Sequence, residues 1–85
     1  MAATTMGLLL CATPARADDR GLQADQVIAA IRTAVAARPG NVKEVEVDRE
    51  GGRTLVKVEI VEPGGREAEL RVDPERNEIV RSRSR

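Results

Sequence analysis

Four carboxylates, Glu44, Glu46, Asp48 and Glu50, recur at every second residue. In an extended chain that period puts all four on one face, about 7 Å apart along the strand. Two chemistries would use such a row. Carboxylates in unlike surroundings can act as an acid–base pair, and converging oxygens can hold a hard cation such as calcium. Calcium ligation requires a compact loop that turns the oxygens inward, whereas a straight strand spreads them apart. The row therefore reads as the wet face of a strand, with Val45 and Val47 pointing to the core between the acids.

The other residue types that catalyse reactions are scarce. There is no histidine, and the single cysteine is Cys11. That excludes a disulfide framework and the usual zinc, haem and iron–sulfur ligand sets. Ser82 and Ser84 are the only serines, set in a charged tail without a base to activate them. A chain of 85 residues also has little volume in which to enclose a pocket. The reading is non-enzymatic: no catalytic residue, no cofactor and no metal.

What remains is recognition. A strand at the edge of a sheet can take up a partner's strand through main-chain hydrogen bonds, with side chains setting specificity. The acids Glu44, Glu46 and Asp48 are the candidate partner-binding edge; they discourage self-pairing and favour a basic partner.

The elements that position this edge follow from hydrophobic period. Residues 22–38 carry Val27, Ile28, Ile31, Ala34 and Val35 at three- and four-residue steps, one apolar stripe of a helix. With Gln23 as N-cap, Leu22 and Val27 occupy the hydrophobic-staple positions and Gln26 the capping-box position. Pro39 disfavours helical geometry at Arg38, and Gly40 turns the chain. Three alternating runs follow, at about residues 42–49, 54–62 and 66–72, and a short extended piece at 78–81. Gly51-Gly52 and Gly64-Gly65 supply the turns between them. Asp73 and Asn77 shape the last turn, Asp73 by bonding backbone N–H groups and Asn77 by tolerating a left-handed conformation. Val56, Val58 and Ile60 form the buried face of the second run, with Ala68, Leu70 and Val72 in the third. Leu55 and Val61 fall on the nominally wet face. The fold class is α+β: one N-terminal helix packed on a three- to four-stranded antiparallel meander.

Composition bounds the partners. Fourteen basic and 14 acidic residues are interspersed, unlike the basic stripe of a nucleic-acid binder. The only local excess is the tail 81–85, read as frayed and solvated. Aromatic residues are absent, so the core is thin; with the exposed Leu55 and Val61, that motivates a weak homodimer or a structural accessory subunit as the alternative function. Residues 1–17 read as a secretory signal: a short apolar run, then Ala15-Arg16-Ala17 ahead of Asp18 in the small-x-small cleavage pattern. The remainder, 18–85, is one domain with its core at 22–80. It is placed in the periplasm or outside the cell, with no membrane span after signal removal.

The order of these pieces resembles a known family. A helix is followed by Pro39-Gly40-Asn41-Val42-Lys43-Glu44-Val45-Glu46-Val47-Asp48 and a glycine turn. Then come Val56-Lys57-Val58-Glu59-Ile60-Val61, a second glycine turn, Ala68-Glu69-Leu70-Arg71-Val72-Asp73 and Glu78-Ile79-Val80. Across residues 22–80 this resembles a PepSY domain, the module found in propeptides of thermolysin-type secreted peptidases and in small exported proteins. Two departures stand out: Arg76-Asn77 replaces the family's usual Thr-Gly, and aliphatic residues replace the aromatic often found in the second strand. The resemblance implies a helix laid across an antiparallel sheet with no chemistry of its own, and a partner outside the cytoplasm, a peptidase that the domain restrains or assists.

Overall fold

A computed structural model describes residues 21–85. The segment read as a signal, with the expected cleavage residues Ala15, Ala17 and Asp18, lies outside the described residues. Within them the chain forms helix α1 (Ala24–Ala37) and strands β1 (Asn41–Glu50), β2 (Arg53–Val61), β3 (Glu67–Asp73) and β4 (Glu78–Ser84). The four strands make one sheet in sequence order, each antiparallel to its neighbour. This is the α+β meander that the hydrophobic periods predict.

Turn chemistry sets the register. Glu50 pairs with Arg53, so Gly51 and Gly52 are a two-residue loop, at φ of 57° and 80°. Two consecutive positive φ angles describe a type I′ hairpin, whose twist matches that of the strands. At the next turn Gly65 N–H donates to the Glu62 carbonyl at 2.9 Å, around Pro63 and a left-handed Gly64. In the last, Asp73 Oδ1 accepts the N–H groups of Glu75 (2.9 Å) and Arg76 (3.4 Å). Asn77 closes that turn at φ 58° with its N–H on the Asp73 carbonyl. Gly40 works differently. A Cβ there would stand 2.5 Å from the Val61 carbonyl oxygen and 2.7 Å from Ile60 Cγ2. Its role is close approach to β2 rather than a left-handed turn.

The core lies between α1 and one face of the sheet: Ala30 and Ala34 against Val56, Val58, Ile60, Ala68, Leu70 and Val72, all fully buried. Leu22, Ile31, Val35, Val45 and Ile79 pack around it. The helix begins as expected, with Gln26 Oε1 accepting the Gln23 N–H at 3.4 Å.

The apolar stripe needs one correction. Ile28 is 47 % exposed, while Ala30 is completely buried. With few large side chains available, the helix approaches the sheet through its alanines. Ile28, six residues before Ala34, lies about 120° round the helix from that contact. A second correction concerns β1. Its helix-side row, Val42, Val45 and Val47, is only partly covered, because α1 packs over β2, β3 and β4. Val42 is 41 % and Val47 39 % exposed.

Two expectations about the outer face also change. Leu55 is not exposed but 2 % accessible, and Val61 is half-buried. The tail is not frayed: β4 runs to Ser84, and Arg85 N–H donates to the Glu67 carbonyl at 2.8 Å. Both follow from the charged side chains folded across that face.

Candidate functional site

The outer face of the sheet carries a lattice of ion pairs. It is built by strand parity. Glu44, Glu46 and Asp48 on β1 stand opposite Glu59, Lys57 and Leu55 on β2, all on the face away from α1. Lys57 and Glu59 stand opposite Arg71 and Glu69 on β3, which in turn face Arg81 and Arg83 on β4. Arg81, Arg83 and Arg85 therefore share the face with the acids, while Ser82 and Ser84 turn toward the helix side.

The candidate edge residues divide. Glu46 Oε1 lies 2.8 Å from Lys57 Nζ. Asp48 Oδ2 accepts a 2.8 Å hydrogen bond from Arg71 Nη1, which reaches over β2 to it. Glu44 remains exposed, and its charge acts on Lys57. The fourth carboxylate, Glu50, accepts from Arg81 Nη2 at 2.8 Å, a bond that spans the sheet from β4 to β1. Bridges that skip one or two strands close this face, Arg71 to Asp48 and Arg81 to Glu50 at the Leu55 end and Lys43 to Glu67, at 2.9 Å, at the Val61 end. Three of the four acids in the row, Glu46, Asp48 and Glu50, are thus paired from within the chain. Among the described residues no group of three or more histidine, cysteine, aspartate or glutamate side chains is placed to hold a metal ion.

The centre of the lattice is a like-charge pair. Glu59 and Glu69 stand directly opposite each other, 6 % and 4 % exposed. Two carboxylates so placed repel, and burial strips them of water. Arg85 Nη2 answers both, 2.9 Å from Glu69 Oε1 and 3.6 Å from Glu59 Oε2. Arg71 donates to the other Glu69 oxygen at 2.9 Å, Arg83 stands 3.6 Å from it, and Lys57 lies 3.6 Å from Glu59. Burial pushes the Glu69 carboxyl up. The Arg85 hydrogen bond and the charges of Arg71, Arg83 and Arg85 outweigh it and hold the group below its ordinary value. Lys57 is raised, chiefly by its hydrogen bond to Glu46. Arg71 Nε is buried without a hydrogen bond, 3.9 Å from Glu50.

Ser84 is also accounted for. Ser84 Oγ accepts from Arg38 Nη1 and Nη2, both at 3.3 Å, and Arg38 also reaches Glu62 at 3.2 Å. The C-terminus of α1 is thereby tied to the end of β4.

Two edges result. Among the described residues β1 and β4 each pair on one side only. The β1 edge is acidic outside and apolar on the helix side, through Val42 and Val47. The β4 edge is basic outside, through Arg81, Arg83 and Arg85. A sequential strand order makes the last strand the second edge, but reading the tail as frayed missed its basic outer side, although the signal was present: Arg-Ser-Arg-Ser-Arg has a strand's period of two.

No helix among the described residues is long and apolar enough to cross a membrane. Comparisons with protein-family models, curated proteins and solved structures find no match for this chain.

Proposed function

We propose that this chain is a non-enzymatic, exported protein-binding domain of PepSY type that restrains or modulates an extracytoplasmic peptidase. One observation carries the binding part. Among the described residues β1 is an open edge, with acids on its outer side and two exposed valines on the other. A partner strand laid along it gains main-chain hydrogen bonds, buries Val42 and Val47, and sets its own outward side chains beside Glu44, Glu46 and Asp48. That arrangement favours a partner strand that alternates basic with apolar residues. The non-enzymatic part draws support from the pairing of the carboxylates with Lys57, Arg71 and Arg81 and of Ser84 with Arg38. Export rests on residues 1–17, and the peptidase on the order of sequence motifs that resembles the PepSY family.

The test is capture of periplasmic or secreted proteins on the immobilised chain, identification by mass spectrometry, and inhibition kinetics on any peptidase retained. The expected result is a retained peptidase whose turnover falls as free chain is added. Glu44→Lys should weaken its capture without lowering the melting temperature, since that side chain is exposed. A retained set without a peptidase, or a retained peptidase indifferent to added chain, sinks the reading.

A further inference from the structure

The two open edges have opposite charge, and they belong to the same molecule. On the outer face β1 presents Glu44, Glu46 and Asp48; β4 presents Arg81 and Arg83. Glu46, Asp48, Arg81 and Arg83 are paired within the chain, yet Glu46, Arg81 and Arg83 remain about half-exposed, at 48 %, 50 % and 61 %, and Glu44 is exposed. A guanidinium has five N–H donors, so the contacts to Glu50 and Glu69 leave capacity for a second carboxylate.

We propose that β1 of one copy pairs with β4 of another, so that the chain associates with itself head to tail and the sheet continues from molecule to molecule. Strand direction permits it. Every neighbour in the order β1-β2-β3-β4 is antiparallel, so β4 runs opposite to β1. A copy shifted sideways without rotation therefore sets its β1 antiparallel to the first copy's β4. Each edge has one irregularity near its start, between Val42 and Glu44 on β1 and opposite the Arg71–Val72 step on β4. Residues 44–50 and 81–84 are regular, and antiparallel pairing can bring these stretches together.

Charge selects this contact over the symmetric ones. Pairing β1 with β1 sets acids against acids, and β4 with β4 sets arginines against arginines; like charges directly across a ladder are destabilising. Only the β1–β4 contact joins opposite charges on the outer face. On the other face it brings the neighbour's α1, which packs over β4, alongside the exposed Val42 and Val47. The regular stretch of β4 is short, so association is weak and visible at high concentration and low salt. Because the contact is heterologous, nothing in it stops growth at two copies.

Sedimentation velocity of the full chain over a concentration series at low salt tests this. The weight-average sedimentation coefficient should climb past the dimer value, and fall back as salt rises. A pair of charge-reversed chains sharpens the result. Glu44→Lys with Glu46→Lys makes both edges basic, and Arg81→Glu with Arg83→Glu makes both acidic. Each should be monomeric alone, and an equal mixture should associate. A monomer at every concentration, a plateau at the dimer, or no association in the mixture of folded variants overturns the proposal. Hydrogen exchange on the unaltered chain needs no variant. Amides in residues 44–50 and 81–84 should slow as concentration rises while those of α1 do not; exchange independent of concentration also overturns it. Neither experiment involves a peptidase, so the result stands apart from the function proposed above.

Discussion

Gly40 illustrates how one residue type can be required for two different reasons. Read from sequence, it is a turn glycine after Pro39. In the fold it lies against β2 where a Cβ would meet Val61 O and Ile60 Cγ2 well inside van der Waals contact. Neither obstacle is the end of a flexible chain: one is strand backbone, the other a fully buried isoleucine. Gly40→Ala should therefore destabilise the domain by about 1–3 kcal/mol, as overpacking does elsewhere, read as a lower urea midpoint with unchanged slope. An alanine tolerated without loss would mean that the α1–β1 connection can move off β2. Gly51, Gly52, Gly64 and Gly65, by contrast, have open space around the Cβ position and are needed for their positive φ angles. Those angles were legible in the sequence because turn chemistry is local. The close approach at Gly40 was not, because it depends on where β2 lies.

The same division between local and distant causes separates what the periods predicted from what they missed. Helix, strand order, turns and the buried faces of β2 and β3 follow from alternation and spacing along the chain. The exposed Ile28 and the buried Ala30 depend on which face of α1 meets the sheet, and alanines made that contact possible. The acidic edge was legible as a row, but the pairing of Asp48 with Arg71 and of Glu50 with Arg81 arises from strands far away in sequence. The tail shows the cost of reading charge without period. Taken as a frayed end, residues 81–85 contribute nothing, and deleting them leaves the melting temperature unchanged. As part of β4 they do much more. Arg85 bridges the buried Glu59–Glu69 pair, Arg81 reaches Glu50, and Ser84 holds Arg38. Ending the chain at Val80 should lower the melting temperature by many degrees and broaden the transition, since it leaves two buried carboxylates face to face and uncovers most of β3. Arg85→Ala alone should reproduce part of that loss, and Arg83→Ala, whose contact is longer, less of it. Differential scanning calorimetry of the three variants orders them; a truncated chain that melts like the parent would refute the part assigned to β4.

Together these contacts give the domain a pH response fixed by its residue types. Glu50 is held low by its hydrogen bond from Arg81, and Glu67 by its hydrogen bond from Lys43. In Glu69 and Asp73 burial works the other way, but the arginines around Glu69, and the Glu75 N–H and Arg53 at Asp73, outweigh it, so both are also lowered. A carboxylate lowered on folding binds fewer protons than its unfolded counterpart as acid is added. Its stabilisation is complete above the ordinary values, 4.5 for glutamate and 3.8 for aspartate, and is lost as pH falls through the lower folded values. Lys43 and Lys57 are raised above 10.5 by their hydrogen bonds to Glu67 and Glu46. Their stabilisation is complete below 10.5 and is lost as pH rises through the folded values. With no histidine in the chain, and Cys11 outside the described residues, no described side chain changes charge near neutrality. The urea midpoint should therefore be level from about pH 6 to about pH 9 and drop in acid below the ordinary carboxylate range. Glu69→Gln should make the acid limb shallower, because one of the lowered carboxylates is gone. A midpoint that slopes across neutral pH, or an acid limb unchanged in Glu69→Gln, would mean that the lattice on the outer face does not stabilise the fold.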